Sequence, residues 1–326
     1  MAIGLSRGGV VGAVLAWVGF TLPSAVLMIL FAYGMVAFSA DGAAGWIHGL
    51  KVAAVAVVAQ AIWGMGRSLC PDRTRASIAV LAATILTASS SPLAQIGVII
   101  LGAAITIGLR WRVESLPHVP LQVRHSRAVG GASLLIWVVM LLLMPILAAN
   151  SGNYLLNFLA GLYRAGSLVF GGGHVVLPLL QAHVVPNGWV TDSTFLAGYG
   201  VAQAVPGPLF SFAAFLGAAS SGSSTGWLGG FLALIAIFLP SLLLVVGVLP
   251  FWEKLRMITS VQRGMVGANA AVIGLLLAAF YHPVWTAAVL NATDFIVVLA
   301  GFVLLEFWRA PPWSVVGGSA VVLQVL

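Results

Sequence analysis

Residues 226 to 252, GWLGGFLALIAIFLPSLLLVVGVLPFW, run without a single charge. A helix of about 20 apolar residues crosses the hydrocarbon core of a bilayer, and in lipid a backbone can satisfy its own polar groups only as a helix or a closed barrel. Further apolar stretches of spanning or near-spanning length lie at 10–36, 47–66, 76–90, 93–109, 130–149, 264–281, 293–307 and 311–326. The chain is 61% hydrophobic and 6% charged, against about a quarter charged in ordinary soluble domains. The polar surface of a soluble fold cannot be made from that mixture. The expected class is an all-α polytopic membrane protein with the lipid bilayer as its solvent.

The net charge of +7 and pI near 10.3 do not indicate a nucleic-acid partner. The basic residues are scattered through short loops, with no continuous stripe and no stacking platform. Cys70 is the only cysteine, which excludes an intrachain disulfide and a CxxC metal site. The opening MAIGLSRGGVVGA has no small-residue cleavage site, so the spans themselves are expected to direct insertion. Orientation follows the basic clusters. Arg67, Arg73 and Arg75 form one; Arg110, Arg112, Arg124 and Arg127 a second; Lys254, Arg256 and Arg263 a third. All three are expected on the cytoplasmic side of the inner (plasma) membrane. The loop at 38–46 and the turn at 89–92 would then lie outside.

An internal repeat organises the chain. GVVGAVLAWVGFTLPS (9–24) aligns without gaps to GWLGGFLALIAIFLPS (226–241), and the same offset of 217 pairs Ala53-Ala54-Val55 with Ala270-Ala271-Val272. The first copy leaves Arg7 and runs outward; its mate ends at Lys254 and runs inward. The repeats are therefore expected to be inverted, the arrangement in which transporters bind substrate between broken helices near the midplane. The domains read as a first repeat at 1–109, a cytoplasmic linker at 110–129, a connecting span at 130–149 and a second repeat at 150–326. Residues 150 to 217 have no counterpart in the first half. That asymmetry predicts a longer pseudosymmetric protein, of which this chain is a truncated or mis-started form.

Two apolar stretches, 152–181 and 194–219, are interrupted and are expected to be broken helices or re-entrant hairpins. In the first, Gly171, Gly172 and Gly173 let the backbone leave the helix, and a restarting helix would point free N–H groups inward, an anion site. Arg164 adds a permanent charge and His174 a titratable donor. The bland alternative is that the glycines serve helix packing, Arg164 snorkels and His174 is a satisfied interior histidine. In the second, Pro206, Gly207 and Pro208 remove two backbone donors, with Gln203 just upstream; the alternative is a proline kink without a ligand. Asn269 either bonds between helices or faces the site. No catalytic motif is present, and no cofactor or metal is implied.

As a set, FGGGHVVLPLL, FLAGYGVAQAVPGPLFSFAAFLG and GANAAVIGLLLAAFYHPVW resemble the chromate ion transporter family of secondary transporters. GLSRGGVVGAVLAWVGFTLPSAVL resembles the stretch that in this family follows the first repeat's own Pro-Gly-Pro motif. That motif and the family's opening Phe-Gly-Gly-Pro are absent here. The resemblance implies proton-coupled export of chromate, a tetrahedral dianion similar to sulfate, giving chromate resistance. The predicted site is Arg164, Gly171 to His174, Gln203 and Pro206 to Pro208, with Asn269 alongside. The alternatives are a sulfate or other oxyanion carrier, a non-transporting partner subunit or inactive truncated form, and a membrane enzyme in which His174 and His183 would converge on a metal. A homodimer or a companion half is the expected protein partner.

Overall fold

The computed structural model describes residues 1–38, 44–89, 91–111, 126–169, 173–222 and 226–325. Among these residues the regular structure is entirely helical. Helix α1 (Ala2–Phe38) breaks at Gly8 and Gly9, where φ reaches +62°, so its spanning part begins where the apolar stretch does. It is followed by α2 (Ala44–Leu69), α3 (Arg73–Ala88), α4 (Pro92–Gly108) and α5 (Arg127–Ser151). Asp72 caps α3, and Ser91 with Pro92 at the first turn starts α4, each meeting N–H groups that a helix start leaves free. Helix α5 ends on Gly152 in the left-handed conformation, and Asn153 at once caps α6 (Tyr154–Ser167).

The second half continues with α7 (Val176–Val184), α8 (Asp192–Ala204), α9 (Phe212–Ala219), α10 (Gly226–Leu255) and α11 (Thr259–Ala279). A π turn at Phe280–Trp285 carries α11 into the short α12 (Thr286–Ala288), and α13 (Ala292–Glu306) and α14 (Pro312–Val325) complete the fold. Five segments, at 3–35, 45–69, 127–151, 226–252 and 259–288, are long and apolar enough to cross a bilayer alone. The protein is an all-α, multi-pass membrane protein.

Helix boundaries repeat at the offset read from the sequence. Shifted by 217, α2 would cover 261–286, and α11 with the π turn and α12 runs from Thr259 to Ala288, kinked at His282; α3 would cover 290–305 against Ala292–Glu306, and α4 309–325 against Pro312–Val325. The two sets are interlocked: α2 packs on α14, α13 and the hairpin helix α8, and α11 on α3 and α4. These crossings are tight because small residues meet there. A side chain at Gly49 would overlap Ser319, and one at Gly267 would overlap Gly102. Ser319 is Gly102 shifted by 217, so the two crossings are near-equivalents. Ala53-Ala54-Val55 and Ala270-Ala271-Val272, the matched triplets, are all buried in the core.

The basic loops gather at one end. Arg263 donates to the Trp111 carbonyl oxygen at 2.9 Å, the Arg75 guanidinium lies 5.9 Å from the Trp111 ring, and Gly130 at the start of α5 meets Pro250 and Phe251 at the end of α10. Helix α5 is the most lipid-like element. It packs on α10 and α6 along one side and leaves Leu135, Leu142 and Ile146 more than half exposed. In water such surface would be a liability; in a bilayer it is what the solvent requires.

Candidate functional site

The interrupted stretches fold as two re-entrant hairpins that enter from the end opposite the basic loops. In the first, α6 descends and a 3₁₀ turn at Gly173–Val175 starts the return through α7. The arms are antiparallel: His183 Nε2, near the end of α7, lies 3.0 Å from the Asn157 carbonyl oxygen in the first turn of α6. In the second, α8 descends, Pro206 to Pro208 turn the chain, and a 3₁₀ turn at Leu209–Ser211 leads into α9. Its mouth closes where Ser221 N–H donates to the Trp189 carbonyl oxygen at 3.0 Å. Helices α6 and α8 have 14 and 13 residues, and at 1.5 Å per residue each reaches about 20 Å. That is past the middle of a core about 30 Å thick but short of crossing it.

Each hairpin is zipped by a glycine facing a ring. A side chain at Gly161 in α6 would overlap the His183 imidazole, and one at Gly198 in α8 would overlap the Phe215 ring of α9. The mouths share an aromatic cluster in which Tyr154, Phe158 and His183 all lie within 5.5 Å, centroid to centroid, of Trp189. The tips meet at the other extreme, Gly173 lying against Leu209. Two helix starts, those of the 3₁₀ turns at 173 and 209, therefore converge, and both leave N–H groups without intrahelical partners.

Proline motifs of the two repeats brace this level. Gly207 has φ +152°, and a Cβ there would stand 2.5 Å from Ser24 Cβ in the Leu-Pro-Ser motif of α1. A side chain at Gly166, at the foot of α6, would overlap the Ile237 carbonyl oxygen and touch Pro240, the repeat mate of Pro23. Pro206 and Gly207 are themselves exposed, so the second tip faces open space while its flank is packed.

The predicted residues fall into three places. His174 Nδ1 lies 2.9 Å from the hydroxyl of Tyr199 in α8, a bond that ties one hairpin to the other. Gln203, one turn along α8, approaches the same hydroxyl, and its Nε2 is buried without a hydrogen-bond partner. Pro206 to Pro208 sit beside this group at the second tip. Arg164 lies on a different flank, sharing a small cavity with Gln95 of α4 and Leu179 and Ala182 of α7. Asn269 is half-buried on α11, the helix that packs against Gly173–Val175, and makes no hydrogen bond among the described residues. Gly171 and Gly172 lie outside the described residues, as do most of the linker expected at 110–129. His174 and His183 have separate partners, the Tyr199 hydroxyl and the Asn157 carbonyl oxygen.

The family model described as chromate transporter matches residues 1–109 and 156–323, the hairpins and both sets of repeated helices included. The chain belongs to the chromate transporter family. It is 28% identical over 283 residues to a chromate transport protein of Pseudomonas aeruginosa, covering 84% of this chain and 64% of that protein. It is 24% identical over 327 residues to a chromate transport protein of Cupriavidus metallidurans, covering 96% of this chain and 75% of that protein. The uncharacterized transporter YwrB of Bacillus subtilis is 35% identical over 120 residues, 36% of this chain and 58% of that protein. No solved structure matches the chain. Residues 110–155, which hold the polar linker and α5, fall between the two segments matched to the chromate transporter model.

Sequence reasoning missed three parts of this family member's interior. Tyr199 stands four residues before Gln203 and so on the same helix face, a spacing that could have flagged it. Gln95 offered no signal beyond being polar in an apolar span. Asp294 is 1% exposed and lies 2.8 Å from His48 Nε2 on α2. Its other oxygen accepts from Leu290 N–H at 2.9 Å.

Proposed function

We propose that the chain is a secondary transporter of a tetrahedral oxyanion, with chromate the favoured substrate through its kinship. The observation that carries this reading is the meeting of two hairpin tips at mid-depth, where two helix starts converge beside the buried amide nitrogen of Gln203. Converging N–H groups and a buried amide donor are suited to an anion that sheds its water. The repeats are read as inverted copies, 1–109 and 150–326, joined by the linker at 110–129 and the span at 130–149. By the basic loops, the chain lies in the inner membrane with that end in the cytoplasm, so the exposed Pro206 and Gly207 face the side from which an exported anion would come. Export coupled to the proton gradient, conferring resistance, follows the family resemblance.

The direct test is uptake and retention of labelled chromate in cells expressing the chain. Gln203→Leu and Gly173→Leu should each reduce export and resistance at least tenfold with normal membrane expression. Unchanged export in both variants would refute the site. Sulfate competition separates the substrates: if excess sulfate abolishes chromate movement, the chain is a general oxyanion carrier. A second reading, that the chain works with a companion half, is favoured by the short relative that aligns with little more than a third of it. Co-purification from the native host distinguishes a companion subunit from a homodimer.

A further inference from the structure

We propose that Gln95 and Arg164 form a second oxyanion station, at the floor of a vestibule opening toward the hairpin mouths, and that the Gln95 side chain is its door. The proposal rests on the oxyanion-transport reading and adds a position on the path distinct from the hairpin tips.

The vestibule has a volume of about 410 Å³ and lies between the ends of α3, α7 and α11 and the start of α4. Thr87, Ser89, Gln181 and His282 give it a polar lining, and all lie at the end opposite the basic loops. Behind it is the cavity of Arg164, only about 10 Å³. That is room for about one water and not for a tetrahedral oxyanion. The two spaces share two residues, Gln95 and Ala182. Ala182 has no side-chain rotamer to change, so of the two shared residues only Gln95 can open the partition by rotation.

Gln95 is 8% exposed and lines both spaces. Its amide is thus placed where a ligand in either space could complete its hydrogen bonds. Arg164 has no carboxylate partner among the described residues. A guanidinium and an amide N–H at the wall of one cavity supply complementary donors: the first takes two oxygens of an oxyanion in a fork, the second a third oxygen. The carboxylate of Asp192 lines the vestibule but not the inner cavity, and it accepts from Gln181 Nε2 at 2.8 Å. Rotation of Gln95 would join the spaces and expose the Arg164 charge to an anion leaving toward the mouths. Asp192 farther out then opposes rebinding.

The chain has one cysteine, so Ala182→Cys in a Cys70→Ser background places a single thiol at the partition. The protein, purified whole in lipid nanodiscs, is treated with an anionic sulfonatoethyl or a cationic trimethylammonioethyl thiosulfonate, with and without sulfate. The anionic reagent should react faster, on the order of tenfold for a nearby fixed charge, and sulfate should protect. Arg164→Gln should remove both effects, Arg164→Lys should keep the charge preference, and Gln95→Leu should lose protection while keeping the preference. Asp192→Asn should strengthen protection. Equal rates for the two reagents in monodisperse protein, or sulfate protection that survives Arg164→Gln, would overturn the proposal. Because the readout is thiol protection and not transport, failure here is distinct from failure of the export assay on the hairpin tips.

Discussion

Replacing Gly207 with alanine should separate two costs that the second hairpin tip combines. Its φ of +152° lies where an L side chain is strained, at about 1–3 kcal/mol. The added Cβ would also stand 2.5 Å from Ser24 Cβ. Ser24 is fully buried, its hydroxyl donates to the Thr21 carbonyl oxygen at 2.9 Å, and it has no flexible end to swing away. Helix or tip must therefore shift, an overpacking cost of about 1–3 kcal/mol. The sum, about 2–6 kcal/mol, corresponds to a fall of about 4–12 °C in the unfolding midpoint at roughly 2 °C per kcal/mol for a large domain. The eleven tryptophans make intrinsic fluorescence of protein in nanodiscs a direct assay. A double-mutant cycle with Ser24→Gly isolates the steric part. Ser24→Gly alone should destabilise, by about 0.5 kcal/mol for helix propensity. In the double variant it should instead recover about 1–3 kcal/mol of the Gly207→Ala loss, leaving the backbone strain. A coupling energy below about 0.5 kcal/mol would refute the packing of the tip against α1, and full recovery would refute the strain.

Gly161→Ala and Gly198→Ala should each cost about 1–3 kcal/mol by forcing apart the arms of one hairpin, with Phe215→Leu partly rescuing Gly198→Ala but not Gly161→Ala; equal rescue of both in thermal melts would contradict the zipper. His48→Ala should destabilise by about 3–5 kcal/mol, because it strands the buried Asp294 carboxylate, and adding Asp294→Asn should recover most of that loss in the same assay. Asp72 accepts the Arg75 N–H at 3.0 Å as the cap of α3 and is paired with the Arg75 guanidinium. Slight burial pushes its carboxyl up, but these bonds outweigh that and hold it below its ordinary 3.8. Its contribution is then fully present above about pH 4 and is lost as pH falls through the lowered value. Asp72→Ala should cost about 0.5–2 kcal/mol at pH 7 and show a shallower acid decline than the parent.

Spans were legible because bilayer physics leaves few solutions for a stretch of apolar residues. The caps at Asp72, Ser91, Ser126 and Asn153 fall where the hydropathy drops but were not read from the sequence. The hairpin breaks were legible for a related reason, since Pro206 to Pro208 cannot continue a helix. What could not be read was lateral placement. His174 and Arg164 are ten residues apart on one interrupted stretch, yet they belong to opposite arms and face different neighbours, Tyr199 and Gln95. Those neighbours come from elements 25 and 69 residues away along the chain, and an apolar pattern does not encode which helix of many lies alongside. The Gly161–His183 and Gly198–Phe215 contacts were hidden for the same reason, because a glycine in a span looks alike whether it faces a ring, a backbone or lipid.

The interlocking of the repeats bears on what can move. If each repeat packed within itself, one half could rock against the other about the linker. Instead α2 packs on α13 and α14 as well as on α8, and α11 on α3 and α4, with glycines at Gly49, Gly102 and Gly267 drawing the backbones together. Separating the halves would open both crossings at once and expose two buried helix centres, at 52–58 and 270–276. Interfaces of that kind favour one rigid scaffold over two rocking bodies. The hairpins are differently held. They are short and end at mid-depth, and Gly207 and Gly166 set them against the proline-bearing turns of α1 and α10. Proline in those helices removes a backbone bond in each wall at the depth of the tips. Under the transport reading, alternating access then requires displacement of the tips and of Gln95 within a fixed frame. The free-energy difference between inward- and outward-open states would reside in contacts such as His174 with Tyr199, which tie hairpin to hairpin and can be exchanged without unpacking the repeats.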